Sequence, residues 1–309
     1  MSSANPISYT VNDLGHWWPS RTREGHKYDH GNVLIIGGSP SLTGAPILAA
    51  LAAASCGAGK VTVATWEISK SELVARTPPY IIPTAIERLF TSSGEQKSAG
   101  PNTSYDFAVL EKFDAVVLGP GLGINSIAQN FLNQLVKISP RPLGPWIVDA
   151  DAFRQWKFGL TDTPTIFTPH LGELSKVLMV PSEQIKTDGQ HGWPQFAQLN
   201  QNAPQVTLVL KSSTTWIGHL AQVEYVWNFP NATLGKAGSG DILVGIMAAL
   251  AAVMPQEDLA KVAALAVGVH GLMGKIAQEK FGVFSPHAGT LLTCLPVAVK
   301  QLEDAAFAR

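Results

Sequence analysis

The chain has 309 residues, 46% apolar and only 15% charged, with a formal net charge of -1. That length supports one large core or two modest ones, and the 28 glycines and 21 prolines suit a compact enzyme with many tight loops. The balanced charge, free of any basic block, gives no electrostatic reason for binding nucleic acid or an anionic membrane.

Met1 to Thr10 shows neither a signal-peptide nor a transit-peptide pattern. The longest apolar run, Ile242 to Met254, ends at Pro255 and is shorter than the roughly 18 residues of a bilayer span. Cys56 and Cys294 stand far apart with no ligand cluster around them, so they read as buried free thiols and point to the reducing cytoplasm.

Residues 1–25 form a polar lead-in segment with Trp17-Trp18-Pro19, expected to pack on the domain. Asn32 to Ile36 is a short apolar strand closed by Gly37-Gly38-Ser39-Pro40, and Ala45 to Ser55 is a helix closed by Gly57 and Gly59. Val61 to Thr65 is a second strand, and Thr91 to Ser104 is a polar surface loop. Ala115 to Leu118 leads into Gly119-Pro120-Gly121-Leu122-Gly123 and a helix from about Ser126. Trp146 to Val148 leads into Asp149-Ala150-Asp151 and another helix.

The alternation continues. Thr165 to Phe167 leads into Thr168-Pro169-His170 and a helix from about Gly172; Val206 to Leu210 leads into Lys211-Ser212-Ser213. A hairpin follows over Thr214 to Ile217 and Val223 to Trp227, and Asp241 to Gln278 is mainly helical. Strand, loop and helix repeated in this way predict a single α/β domain, a mostly parallel sheet with helices on both faces. Ligands then belong at the carboxyl ends of the strands, where the polar and glycine-rich loops fall.

The strongest local signal is Gly235-Lys236-Ala237-Gly238-Ser239-Gly240-Asp241, which opens a long apolar helix. Small residues let an anion approach the free N–H groups of a helix start. Asp241 either caps that helix or takes a proton from a hydroxyl attacking a phosphoryl group. His170 and Glu173, three apart at a helix start, either share a pocket or form a cap with a solvated glutamate. Asp149 and Asp151 orient loops or a hydrated cation, with one of them a cap; His26 and His30 are surface or packing residues. Neither a P-loop nor a dinucleotide fingerprint is present.

Taken in order, these segments from about His26 to Pro296 resemble the NAD(P)H-hydrate dehydratase family of the ribokinase-like superfamily. The motifs are His26 to Gly31, Gly37-Gly38-Ser39, Gly44-Ala45, Gly119 to Gly123, Asp149 to Ala152, Thr168 to Glu173, Leu210-Lys211, Asn231 and Ala237 to Asp241. The resemblance implies a ribokinase-like fold and repair of hydrated NADH or NADPH. ATP or ADP would phosphorylate the ring hydroxyl, with magnesium, and phosphate would then be eliminated.

By the same resemblance Asp241 is the base, and Ala237, Gly238, Ser239 and Gly240 form the anion hole. Ala45, Gly123, His170 and Asp241 contact the hydrated dinucleotide. Lys211, Ser212, Ser213, Thr214, Thr215 and Gly240 bind the donor nucleotide, and Glu173 holds magnesium through water. A homo-oligomer is implied, and an epimerase domain that often precedes this module is expected on a separate polypeptide. Lys236 and the run Lys211-Ser212-Ser213 depart from the usual family pattern. Two alternatives remain open: a small-molecule kinase of the hydroxyethylthiazole or hydroxymethylpyrimidine type, and a non-catalytic nucleotide-binding protein.

Overall fold

Ten strands form one sheet in the order β1-β10-β9-β8-β7-β6-β5-β2-β3-β4. The computed structural model describes residues 5–21, 24–91, 99–138, 144–187, 191–203 and 205–307. The strands are β1 (Ile7–Ser8), β2 (Asn32–Ile36), β3 (Lys60–Thr65), β4 (Ile82–Ala85) and β5 (Ala115–Leu118). They continue as β6 (Trp146–Val148), β7 (Thr165–Phe167), β8 (Val206–Leu210), β9 (Thr215–His219) and β10 (Tyr225–Trp227). From β4 to β8 every neighbouring pair is parallel; β9 runs antiparallel to both β8 and β10.

The helices between them are α1 (Val11–Trp17), α2 (Gly44–Ser55), α3 (Glu67–Arg76), α4 (Ile86–Leu89) and α5 (Ser126–Leu135). They are followed by α6 (Ala150–Gln155), α7 (Leu171–Leu178), α8 (Ser182–Thr187) and α9 (Trp193–Leu199). Three long ones close the chain: α10 (Ser239–Val253), α11 (Leu259–Phe281) and α12 (Ala288–Phe307).

Continuous apolar strands are what a doubly covered sheet requires, because alternate side chains face opposite sides. Val33, Ile35, Val63 and Val117 join one core with α2, α10, α11 and α12. Leu34, Ile36, Val116 and Leu118 join a second core with α5, α6 and α9. By length and composition α11 is a candidate membrane span among the described residues, but most of it is buried in the first core.

The lead-in segment is more integral than its polarity suggests. Ile7–Ser8 pairs in parallel with β10, and Tyr9 and Leu14 are fully buried in the first core. The Tyr9 hydroxyl donates to the Ala264 carbonyl at 2.7 Å. β4 and α12 are elements that the sequence pattern did not announce. The expected loop over Thr91 to Ser104 falls partly outside the described residues.

Two features of the topology place the ligand region. β2 continues to β3 and β4 on one side, while β5 to β8 extend from its other side, so the chain reverses direction between β2 and β5. The loops after these strands meet there, with the Gly38 N–H donating to the Pro120 carbonyl at 2.9 Å. Helix α10 is set against α2 by a close backbone approach at Gly245, where an added Cβ would lie 2.1 Å from the Ala49 carbonyl oxygen.

Alanine at a helix-interior glycine ordinarily stabilises by up to about 1 kcal/mol. Gly245→Ala should do the opposite, costing about 1–3 kcal/mol by overpacking. A melting temperature several degrees below wild type is the expected result. An increase would show that α2 and α10 separate freely.

Candidate active site

Helix α10 begins at Gly238, whose φ of +88° suits glycine and whose missing Cβ leaves room for Leu48 and Ala288. At this start the Ser239 N–H donates to the Lys236 carbonyl at 3.2 Å, so that amide is not free for an anion. The N–H groups of Gly240 and Asp241 have no backbone acceptor among the described residues. Of the four amides expected to form an anion hole, the Ser239 N–H is thus engaged within the turn, whereas those of Ala237, Gly238 and Gly240 have no backbone acceptor among the described residues.

A cavity of about 730 Å³ opens beside this helix start. Lys211, Ser212, Ser213 and Thr215 line it together with Ser239 and Gly240, bringing together residues assigned to the donor nucleotide. Thr214 instead turns its hydroxyl to Asn228 at 2.9 Å. The opposite wall is Trp227, Phe229, Pro230 and Leu234, an apolar surface suited to a flat base. Lys236 lines the cavity too, with its ammonium bound to the Phe284 carbonyl.

His170 lines this cavity as well; Glu173 does not. The pair forms a reciprocal cap on α7: His170 Nδ1 accepts from the Gly172 and Glu173 N–H groups, and Glu173 Oε2 accepts from the His170 N–H at 3.1 Å. The glutamate is 4% exposed, so it is not the solvated residue of a simple cap. Arg154 lies 3.5 Å from its other oxygen. Both of its carboxylate oxygens are thus engaged within the protein.

Asp149, at the end of β6, accepts from Lys211 Nζ at 2.7 Å and from the Thr168 hydroxyl at 2.8 Å. It occupies the N-cap position of α6 without capping it. Asp151 accepts from the Gly123 N–H at 2.9 Å, which fixes the loop after β5. Both carboxylates are thus already bound to the protein.

Asp241 is different. It is mostly buried and, among the described residues, has no hydrogen-bonding or ion-pairing partner. Burial pushes its carboxyl up to about 6, Asp149 and Asp151 push the same way, and Lys211 opposes them. Ala45, in the first turn of α2, and Gly123 lie outside the donor cavity. Gly123 is coupled to Asp241 through Asp151.

One site residue that the sequence reading did not single out is His270, in the middle of α11. It is 8% exposed and also lines the cavity. Its Nε2 lies 3.0 Å from both the hydroxyl and the carbonyl oxygen of Ser239. Its only sequence signal is a lone polar ring inside the apolar run Ala263 to Met273.

The raised Asp241 carboxyl makes stability depend on pH. The folded state holds this proton more tightly than the unfolded chain, so it loses stability as pH rises from about 4 through about 6. Asp241→Asn mimics the neutral form. It should melt a few degrees above wild type at pH 8, on the order of 1–3 kcal/mol, and match it below pH 4. A gap independent of pH would mean the carboxylate is well solvated.

A family profile described as NAD(P)H-hydrate dehydratase matches residues 33–296. The bifunctional NAD(P)H-hydrate repair enzyme Nnr of Moorella thermoacetica is 33% identical over 298 residues, covering 93% of this chain and 52% of that protein. The chain spans about half the length of such bifunctional relatives. The ADP-dependent (S)-NAD(P)H-hydrate dehydratase of Staphylococcus aureus is 29% identical over 292 residues, covering 93% of this chain and 95% of that one. A ribokinase-like superfamily protein from Enterococcus faecalis superposes with a TM-score of 0.76 at 26% identity, over 96% of this chain and 95% of its own. The ADP/ATP-dependent NAD(P)H-hydrate dehydratase of Bacillus subtilis, co-crystallised with ATP and Mg2+, gives 0.78 at 24% identity over 97% and 100%, a likeness of fold. With the profile spanning both cores and every loop at the carboxyl edge, the chain belongs to the NAD(P)H-hydrate dehydratase family and has the ribokinase-like fold.

Proposed function

We propose that the chain repairs hydrated NADH or NADPH by nucleotide-dependent dehydration. The observation that carries this reading is the Asp241 carboxylate: ionised above about pH 6, unpartnered, and one residue from the free N–H of Gly240. A merely structural carboxylate in that position would be paired, as Asp149 and Asp151 are.

The donor, ATP or ADP, lies in the cavity beside Lys211 to Thr215, with its terminal phosphoryl group at the start of α10. The hydrated ring enters from the side of Ala45 and Gly123, with its hydroxyl against Asp241. As the hydroxyl oxygen attacks phosphorus, Asp241 takes its proton, and the bond from phosphorus to the leaving nucleotide breaks. The N–H groups of Gly240 and Asp241 stabilise charge on the phosphoryl oxygens. The phosphate ester then leaves with cleavage of the ring C–O bond and loss of a proton from the adjacent carbon, which regenerates the reduced ring. The sum is hydrate plus ATP giving NAD(P)H, ADP and phosphate.

Glu173, acting through water, offers a hard oxygen that fits magnesium. Bound with the nucleotide, that ion would neutralise phosphate charge. Lys211, held by Asp149, stands 3.6 Å from where a Gly240 Cβ would be and supplies a fixed positive charge at the same place.

Work in the cytoplasm fits the free buried thiols Cys56 and Cys294. A functional link to NAD(P)H-hydrate epimerisation is supported by the bifunctional repair enzymes among its longer relatives. Homo-oligomeric assembly is carried over on the family resemblance alone. The unpartnered Asp241 argues against a non-catalytic binding protein, and the family profile argues against a small-molecule kinase.

Asp241→Asn keeps the shape and removes the base. With hydrated NADH, magnesium and ATP or ADP, it should lower kcat by about 10²–10⁴ while nucleotide affinity holds or improves slightly. Recovery of absorbance from the reduced ring reads the rate. Unchanged kcat in a folded variant would remove Asp241 as the base.

A further inference from the structure

Ser239 and His270 form a buried pair whose chemistry is settled by one carbonyl. His270 Nε2 faces two oxygens of the same residue, the Ser239 carbonyl and the Ser239 hydroxyl, each at 3.0 Å. A carbonyl oxygen only accepts. A lone pair on Nε2 would therefore point at that oxygen's lone pairs, whereas an Nε2 hydrogen satisfies both contacts by a forked bond. The hydrogen is on Nε2.

The consequence for the serine follows directly. Facing an N–H, Ser239 Oγ is an acceptor toward His270, so its own hydrogen is directed elsewhere. No other acceptor for it is found among the described residues. The Ser239 N–H is already donated to the Lys236 carbonyl, so the hydroxyl is this residue's one available donor. Ser239 is 4% exposed and lines the donor cavity next to Gly240, so the hydroxyl hydrogen belongs to that cavity.

We infer that Ser239 donates its hydroxyl hydrogen to the transferring phosphoryl group, and that His270 is the positioning residue that holds it in that role. The inference rests on the phosphoryl-transfer reading of this site. It replaces the amide assigned to Ser239 in the anion hole with a side-chain donor. Burial also drives the His270 imidazole down to about 4, so the ring stays neutral over the working range and acts through its hydrogen bond. A hydroxyl held in place before the reaction loses no orientational freedom as charge develops, which is the condition for an effective oxyanion donor.

The test compares wild type, Ser239→Ala, His270→Gln, His270→Leu and the double variant Ser239→Ala with His270→Leu. Measured on each are kcat with hydrated NADH and magnesium ATP, ATP affinity by calorimetry, and melting temperature. Ser239→Ala should lower kcat by about 10²-fold with ATP affinity within about threefold, the signature of a donor used in the transition state. His270→Leu should fall to a similar level, and the double variant should be no worse than Ser239→Ala alone, because both lose one interaction. His270→Gln, whose amide N–H reaches the Nε2 position, should recover kcat to within about tenfold of wild type. A purely structural histidine would instead lower melting temperature without the selective loss of kcat or the rescue.

Wild-type kcat in Ser239→Ala, or losses that multiply in the double variant, would overturn the inference. If His270→Leu does not fold, the Ser239→Ala and His270→Gln values decide the matter. Wild type that turns over hydrate while Ser239→Ala is equally active refutes only the serine–histidine pair. Wild type with no hydrate turnover refutes the phosphoryl-transfer reading and the inference with it.

Discussion

Asp241 stands in the first turn of α10 with Asp149 and Asp151 close enough to raise its proton affinity and Lys211 close enough to oppose them. Three carboxylates near one helix start repel one another. The protein engages two of them: Asp149 with Lys211 and Thr168, Asp151 with the Gly123 N–H and Arg154. The third has no hydrogen-bonding or ion-pairing partner among the described residues and is partly desolvated. Burial together with its two acidic neighbours lifts that carboxyl to about 6.

The fold supplies this arrangement through the reversal between β2 and β5. Loops from β5, β6, β7 and β8 all reach one edge, and α10 brings its N-terminus to them across the first core. The close approach of Gly245 to Ala49 fixes how α10 lies on α2, which carries Ala45. His270 reaches the same place from α11 and links the second of the three long helices to the start of α10. Trp227 and Phe229 give the cavity at this helix start an apolar lining.

Much of this was legible in the sequence where one physical signal acts locally. β2, β3 and β5 to β8 are short apolar runs, four of them (β2, β5, β6 and β7) followed at once by a turn bearing glycine, proline or aspartate, and their order alone predicted the parallel sheet. β4 carries Pro83 and lies at the sheet edge, where a missing N–H is tolerated, so its pattern is weak. α12 contains Pro296, which reads as a break yet is accommodated within the helix. β1 has two residues and owes its place to pairing with β10 and to Tyr9 packing on Trp227 at 5.0 Å.

The site divides the same way. The glycine-rich start of α10 and its acid are contiguous and were readable. Residues far apart in the chain were not: Asp149 and Lys211 are 62 positions apart, and Ser239 and His270 are 31. The His170 and Glu173 pair was seen, but the burial of one and the exposure of the other were not. Only tertiary packing buries Glu173 beside Arg154 and leaves His170 facing the cavity.

The central claim is that the ring hydroxyl is phosphorylated before it leaves, and oxygen labelling tests it most directly. NADH hydrate prepared in ¹⁸O-water carries the label in that hydroxyl. Turned over by the protein with unlabelled ATP and magnesium in ordinary water, it should yield inorganic phosphate containing one ¹⁸O for each NADH regenerated, read by mass spectrometry. Unlabelled phosphate, with the ¹⁸O released into water, would mean that the hydroxyl departs without ever bonding to phosphorus and would contradict the account.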